Sequence, residues 1–155
     1  MGYRSDVAYI VAFHSEDKPE VAHVEYLRFK AWVNSYVVTH NSDSKLNPET
    51  TVSAEMFTDN KWCTFDWHDE DNMLSFYVSG YKWYDSYPEV QWHQELLNEA
   101  RDAETGAYRF VRIGEEYTDV EVLDEGNFSL DLCEYVDVYR EIRFDPPMKR
   151  QTTEA

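Results

Sequence analysis

Cations, glycine and cysteine are what this 155-residue sequence has least of, and each scarcity argues against a class of function. Fourteen Lys and Arg stand against 31 Asp and Glu, a formal net charge of −17. A chain so balanced is repelled by nucleic-acid phosphates and by an anionic membrane surface, so neither is expected as a direct partner. With five glycines a backbone cradle for phosphate is not expected, and neither a P-loop nor a G-x-S-x-G elbow occurs. Cys63 and Cys133 are the only cysteines, too few for a disulfide framework. The chain opens without a basic and then apolar leader, so reduced thiols and a cytoplasmic setting are expected. No run approaches the ~20 apolar residues that cross a bilayer.

What is present is a globular composition. Hydrophobic residues make up 43% and aromatics 16%, with twelve Tyr and five Trp, which separates the chain from disordered acidic tails. A chain of this length buries roughly two thirds of its unfolded surface in one core. A single domain is expected over 1–147, and a disordered tail over 148–155, beyond Pro146-Pro147.

The apolar run 7–13 predicts a central strand buried on both faces. Asp17, Pro19 and Glu20 predict a helix start. Val21, Val24, Leu27 and Ala31 form the expected inward stripe, and the end falls near Asn34 or Ser35. Residues 36–38 fit a short strand or the end of that helix, and the polar segment 39–51 reads as a loop. Strands are predicted over 54–58 and 62–67, the second with Cys63, Phe65 and Trp67 facing the core. The strand over 73–83 places Leu74, Phe76 and Val78 inward, with Gly80 marking a bulge or a close approach. Ser86, Pro88 and Glu89 predict a second helix with Val90, His93, Leu97 and Ala100 on its stripe, beside Trp92 and Leu96, and Gly106 near its end. Strands follow over 108–113, 120–123 and 135–144, with 124–127 as a turn. The pattern is an α+β domain: an antiparallel or mixed sheet with two helices on one face, of ferredoxin-like topology with extra C-terminal strands.

No residue pattern marks a catalytic centre, a cofactor site or a metal site. Asp66, His68, Asp69, Glu70 and Asp71 have metal-ligand chemistry, but no helical histidine pair or C-x-x-C positions them, and the spacing is not that of an EF-hand. His14, His23, His40, His68 and His93 are scattered. His93, on a helix stripe, reads as a half-buried structural histidine.

The strongest candidate is an acidic stretch. Between Ile113 and Tyr139 there is no Lys, Arg or His, while Glu115, Glu116, Asp119, Glu121, Asp124, Glu125, Asp131, Glu134 and Asp137 are all acidic. On a strand, Asp119 and Glu121 project to the same face roughly 6–7 Å apart, flanked by Asp124 and Glu125. Apolar residues threaded among them, Val120 and Val122 included, are expected to tie the stretch into the sheet. Two readings fit: a rigid array that competes for a groove built to hold phosphates, or a wet edge that resists strand-to-strand aggregation.

The opening Met1-Gly2-Tyr3-Arg4-Ser5-Asp6-Val7, with Arg112-Ile113-Gly114-Glu115 followed by further acids, resembles small bacteriophage-encoded proteins that begin in the same way. The resemblance touches the two ends of the chain and carries no catalytic residues. It implies the cytoplasm of an infected bacterium and a host or defence protein as partner, and the acidic stretch adds that the partner's contacting surface is basic. The expected function is therefore a non-enzymatic interaction protein that inhibits such a partner through the acidic stretch, by mimicry of nucleic-acid charge. An oligomeric accessory module associating through Trp83, Tyr84 and Tyr87 is the second reading, and a small hydrolase or nucleotide-binding enzyme the third.

Overall fold

The computed structural model describes residues 2–42, 54–127 and 131–136. Strand β1 (Ser5–Phe13) lies at the centre of a five-stranded sheet in the order β2-β3-β1-β4-β5, every neighbouring pair antiparallel. The remaining elements are α1 (Pro19–Ser42), β2 (Cys63–His68), β3 (Met73–Tyr81), α2 (Pro88–Asp102), β4 (Gly106–Gly114) and β5 (Val120–Gly126). The order β2-β3-β1-β4 in a β-α-β-β-α-β chain is the ferredoxin-like arrangement, and β5 is an added edge strand beyond β4.

Alternation decides which side of each strand meets the helices. Val7, Tyr9, Val11 and Phe13 of β1, with Leu74, Phe76 and Val78 of β3 and Cys63 and Phe65 of β2, are buried in one cluster with α1 and α2. The opposite face carries a smaller cluster of Ile10, Ala12, Met73 and Ala107, covered by Leu132 and Val136. Gly80 has φ +64° where the β1–β3 register shifts, so the bulge expected there is present, in a conformation that favours glycine.

The helix expectations divide. Helix α2 buries Val90, Trp92, His93, Leu96, Leu97 and Ala100 as its periodicity predicts. Its N-cap, however, is Tyr87 rather than Ser86, without a side-chain bond, and Pro88 occupies the first turn. Gly106 opens β4 rather than ending α2, which closes at Ala103. In α1 the inward face is Ala22, Tyr26, Phe29 and Val33, while Val24 and Leu27 are 44% and 47% exposed. The aromatic stripe displaces the aliphatic one because larger rings bury more apolar area against the sheet. Helix α1 also runs on to Ser42 through 36–38, and Tyr36 stacks on Trp92 at 3.5 Å between ring centroids.

Residues 54–57 form a 3-10 turn, not a strand. Met56 and Phe57 are both buried, which adjacent residues of a strand, pointing to opposite faces, achieve less readily. Strand β5 continues through Asp124 and Glu125 to Gly126, where a turn was expected. Leu132–Glu134 is a second 3-10 turn, and Tyr135 and Val136 after it are not in a strand. The rest of the strand expected over 135–144, the loop residues 43–51 and the tail 148–155 lie outside the described residues.

Candidate binding groove beside the edge strand

The β4–β5 hairpin sets cations of one strand against carboxylates of the next. Arg112 pairs in register with Glu121, Arg109 with Asp124, and Tyr108 with Glu125. Arg112 donates from Nε to Glu121 at 3.1 Å and from Nη2 and Nη1 to Asp119 at 2.8 and 3.2 Å. The bond to Asp119 holds its guanidinium above the ordinary value, against partial burial. Tyr3 Oη donates to Asp119 at 2.6 Å and accepts from Glu116 N–H at 3.1 Å. The bond to Asp119 pushes the phenol up, since ionising it would place two anions together. Gly114 makes this convergence feasible, because a Cβ there would meet both the Asp119 carboxylate and Tyr3 Oη.

Glu125 accepts from Tyr108 Oη and lies 3.7 Å from Arg101. Burial first, and then that hydrogen bond, raise the Tyr108 phenol. Arg109 meets Asp124 at 2.5 Å and donates from Nε to the Val136 carbonyl at 2.9 Å.

The acidic residues are thus distributed by the pleat. Asp119, Glu121 and Glu125 gather on the helix side of the sheet. Asp124 projects to the other side with Val120 and Val122, which pair with Ile113 and Val111 of β4 and so tie the stretch into the sheet while staying 39% and 41% exposed. Glu115 and Glu116 are exposed in the hairpin turn, where Glu115 accepts the Arg4 N–H at 2.5 Å. Asp131, held low by the hydrogen bond from the Cys133 thiol, caps the 3-10 turn. Glu134 lies in that turn, and Asp137 lies outside the described residues.

The helix side of β4 and β5, beside α2, is the floor of a groove of about 720 Å³. Tyr108, Phe110, Arg112, Glu121, Leu123 and Glu125 form the floor, and Gln94, Leu97 and Asn98 of α2 form one wall. Tyr3, Trp83, Tyr84 and Asp85 close an end. Four carboxylates, Asp85, Asp119, Glu121 and Glu125, face one guanidinium, Arg112, which two of them already engage. Trp83 is half-buried against Phe76 and Phe110, and the Tyr84 hydroxyl accepts the Tyr3 N–H at 2.7 Å. The groove therefore joins aromatic surface to excess negative charge.

Asp69, His68 and His93 have structural partners. Asp69 accepts from Tyr26 at 2.5 Å and from Lys30 at 2.9 Å, tying the β2–β3 turn to α1. Among the described residues no group of three or more His, Cys, Asp and Glu is placed to hold a metal ion, and no helix is long and apolar enough to cross a membrane. His93 is fully buried in an aromatic cage, its ring centroid 4.2 Å from that of Phe57 and 4.3 Å from that of Phe76, with Nδ1 2.8 Å from Tyr9 Oη. Burial lowers its pKa to about 3.

Sequence reasoning missed Arg109, Arg112, Tyr108 and Tyr3 as members of this region. The alternation of Tyr108, Phe110 and Arg112, seven or more residues ahead of Asp119 and Glu121 across a Gly-Glu-Glu break, was the available signal. No protein-family model, curated protein or solved structure matches the chain.

Proposed function

We propose that this chain is a non-enzymatic interaction protein that binds a basic surface of a host or defence protein of the bacterial cytoplasm and inhibits it by occupancy. One observation carries the reading. The groove beside β5 holds four carboxylates and one already engaged cation among the rings of Tyr3, Trp83, Tyr84 and Tyr108. A Lys or Arg side chain entering it gains ion pairs with Glu121 and Glu125 and stacking on aromatic faces. The molecule's charge of −17 speeds encounter with a positive partner. The resemblance to small phage-encoded proteins supplies the setting. Charge mimicry then takes the form of a groove that accepts cations, with Asp124 on the reverse face of the same strand.

The test is titration with a labelled Arg- and Lys-rich peptide, followed by fluorescence anisotropy. Binding is expected to weaken at least tenfold between 50 and 500 mM salt, as screening of exposed charges requires, and again in the Glu121→Gln/Glu125→Gln variant. Affinity indifferent to both changes would sink the reading. Gln is the right replacement. Lys at 119 or 121 would stand against Arg112 and disturb the hairpin itself.

A further inference from the structure

The backbone of β5 points to the form of the partner. Within the β4–β5 register, Gly114 N–H donates to the Asp119 carbonyl and Asn127 N–H to the Gly106 carbonyl. The directly bonded pairs of an antiparallel ladder recur at every second residue, so the odd-numbered residues of β5 bond to β4. The even-numbered residues, Val120, Val122 and Asp124, aim their backbone groups away from β4. The Val120 N–H is taken by the Thr118 carbonyl at 3.0 Å. The N–H groups of Val122 and Asp124, with the carbonyls of Val120, Val122 and Asp124, are left facing outward. Among the described residues no strand pairs with this edge.

The side chains along the edge mix exposed apolar residues with carboxylates. Val120, Val122 and Leu123 are each about two-fifths exposed, and no Lys or Pro protects the strand. Its charges are all negative: Glu121 and Glu125 toward the groove, Asp124 on the other face. A second copy pairing edge to edge would set carboxylates against carboxylates, which opposes self-addition.

We infer that β5 is the docking edge for an extended basic segment of the partner, which adds to the sheet as a sixth, antiparallel strand. This rests on the basic-partner reading above and specifies its geometry. Side chains of the added strand would alternate between the two faces. Those toward the groove would meet Glu125, Leu123 and Glu121 in turn, and those on the far face Asp124, Val122 and Val120. The matching segment carries cations opposite Glu125, Asp124 and Glu121 and apolar residues opposite Leu123, Val122 and Val120.

The probe is a fluorescein-labelled peptide, Ser-Arg-Lys-Val-Ile-Arg-Val-Ser, compared with a scrambled peptide of identical composition against the full chain at 50 mM salt. The ordered peptide is expected to bind at least tenfold more tightly than the scrambled one, and amide exchange at Val122 and Asp124 is expected to slow when it binds. Val122→Pro removes one outward N–H at an edge position where proline is tolerated and leaves Glu121 and Glu125 in place; it is expected to lose at least tenfold in affinity.

Binding that falls in Glu121→Gln/Glu125→Gln but is unchanged in Val122→Pro, with equal affinity for both peptides, overturns strand addition and leaves the basic-partner reading standing. No binding of either peptide overturns both. A chain that is dimeric in sedimentation and made monomeric by Val122→Pro overturns the inference in favour of a second copy. Should Val122→Pro fail to fold by circular dichroism, amide exchange in the unaltered protein decides: unchanged rates at Val122 and Asp124 overturn the proposal.

Discussion

Arg112 does at one residue what the acidic stretch needs done. Its guanidinium fork engages Asp119 through two nitrogens and Glu121 through the third, while Tyr3 holds Asp119 from the other side. Removing one partner of a mostly buried pair leaves the other charge desolvated and unmatched. Arg112→Met is therefore expected to cost about 2 kcal/mol in chemical denaturation, and adding Asp119→Asn to recover part of that loss. His93 acts at the same scale on pH dependence. Its folded pKa of about 3 lies below the ordinary 6.5, so the unfolded chain takes up the proton first. The stability it contributes is complete above pH 6.5 and is lost as pH falls from 6.5 toward 3. The difference in unfolding free energy between pH 7 and pH 5 should be about 2 kcal/mol larger in the unaltered protein than in His93→Phe. Equal slopes in the two proteins would show that the imidazole is not the group responsible.

Elements were legible in proportion to how far their local pattern agreed with the sheet. The run of β1, the alternation of β2 and β3 and the stripe of α2 all announced their burial, because period and packing point the same way. Helix α1 carries two apolar stripes, and only the sheet chooses between them. Tyr26 is fully buried, within aromatic contact of Phe13 and Trp67, while Leu27, next to it in sequence, is 47% exposed. Tyr26→Ala is expected to destabilise by about 3 kcal/mol and Leu27→Ala by less than about 0.5 kcal/mol, compared by denaturant midpoint at equal slope. The reverse order would restore the aliphatic stripe. Residues 54–57 misled for a related reason: a short apolar run has no period of its own, and the buried space beside α2 decided that it turns.

For the molecule as a whole, charge and fold work against each other. A net charge of −17 raises the free energy of the compact state through self-repulsion. Raising salt from 10 to 200 mM shortens the Debye length from roughly 30 Å to under 10 Å, and should increase the melting temperature. A decrease would mean that the cross-strand pairs around Arg109 and Arg112 outweigh the repulsion. The same screening is expected to weaken the groove for a cationic partner, so stability and affinity should move in opposite directions as salt rises.

The α+β class, the central strand, the sheet-facing side of α2 and the excess of negative charge follow from the sequence alone, because each rests on composition or on a period of two or 3.6 residues. Where the charge goes was decided by the tertiary structure. The stretch after Ile113 is one-signed along the chain, yet the hairpin folds it back beside Arg109 and Arg112, and the pleat divides its carboxylates between two faces. Pairing across strands depends on register, which no count of residues along one strand contains. The groove depends further on β4, β5 and α2 lying side by side, a matter of how distant elements pack. Several of the carboxylates that were legible as a run are, in the folded molecule, partners in ion pairs and part of the floor of a groove.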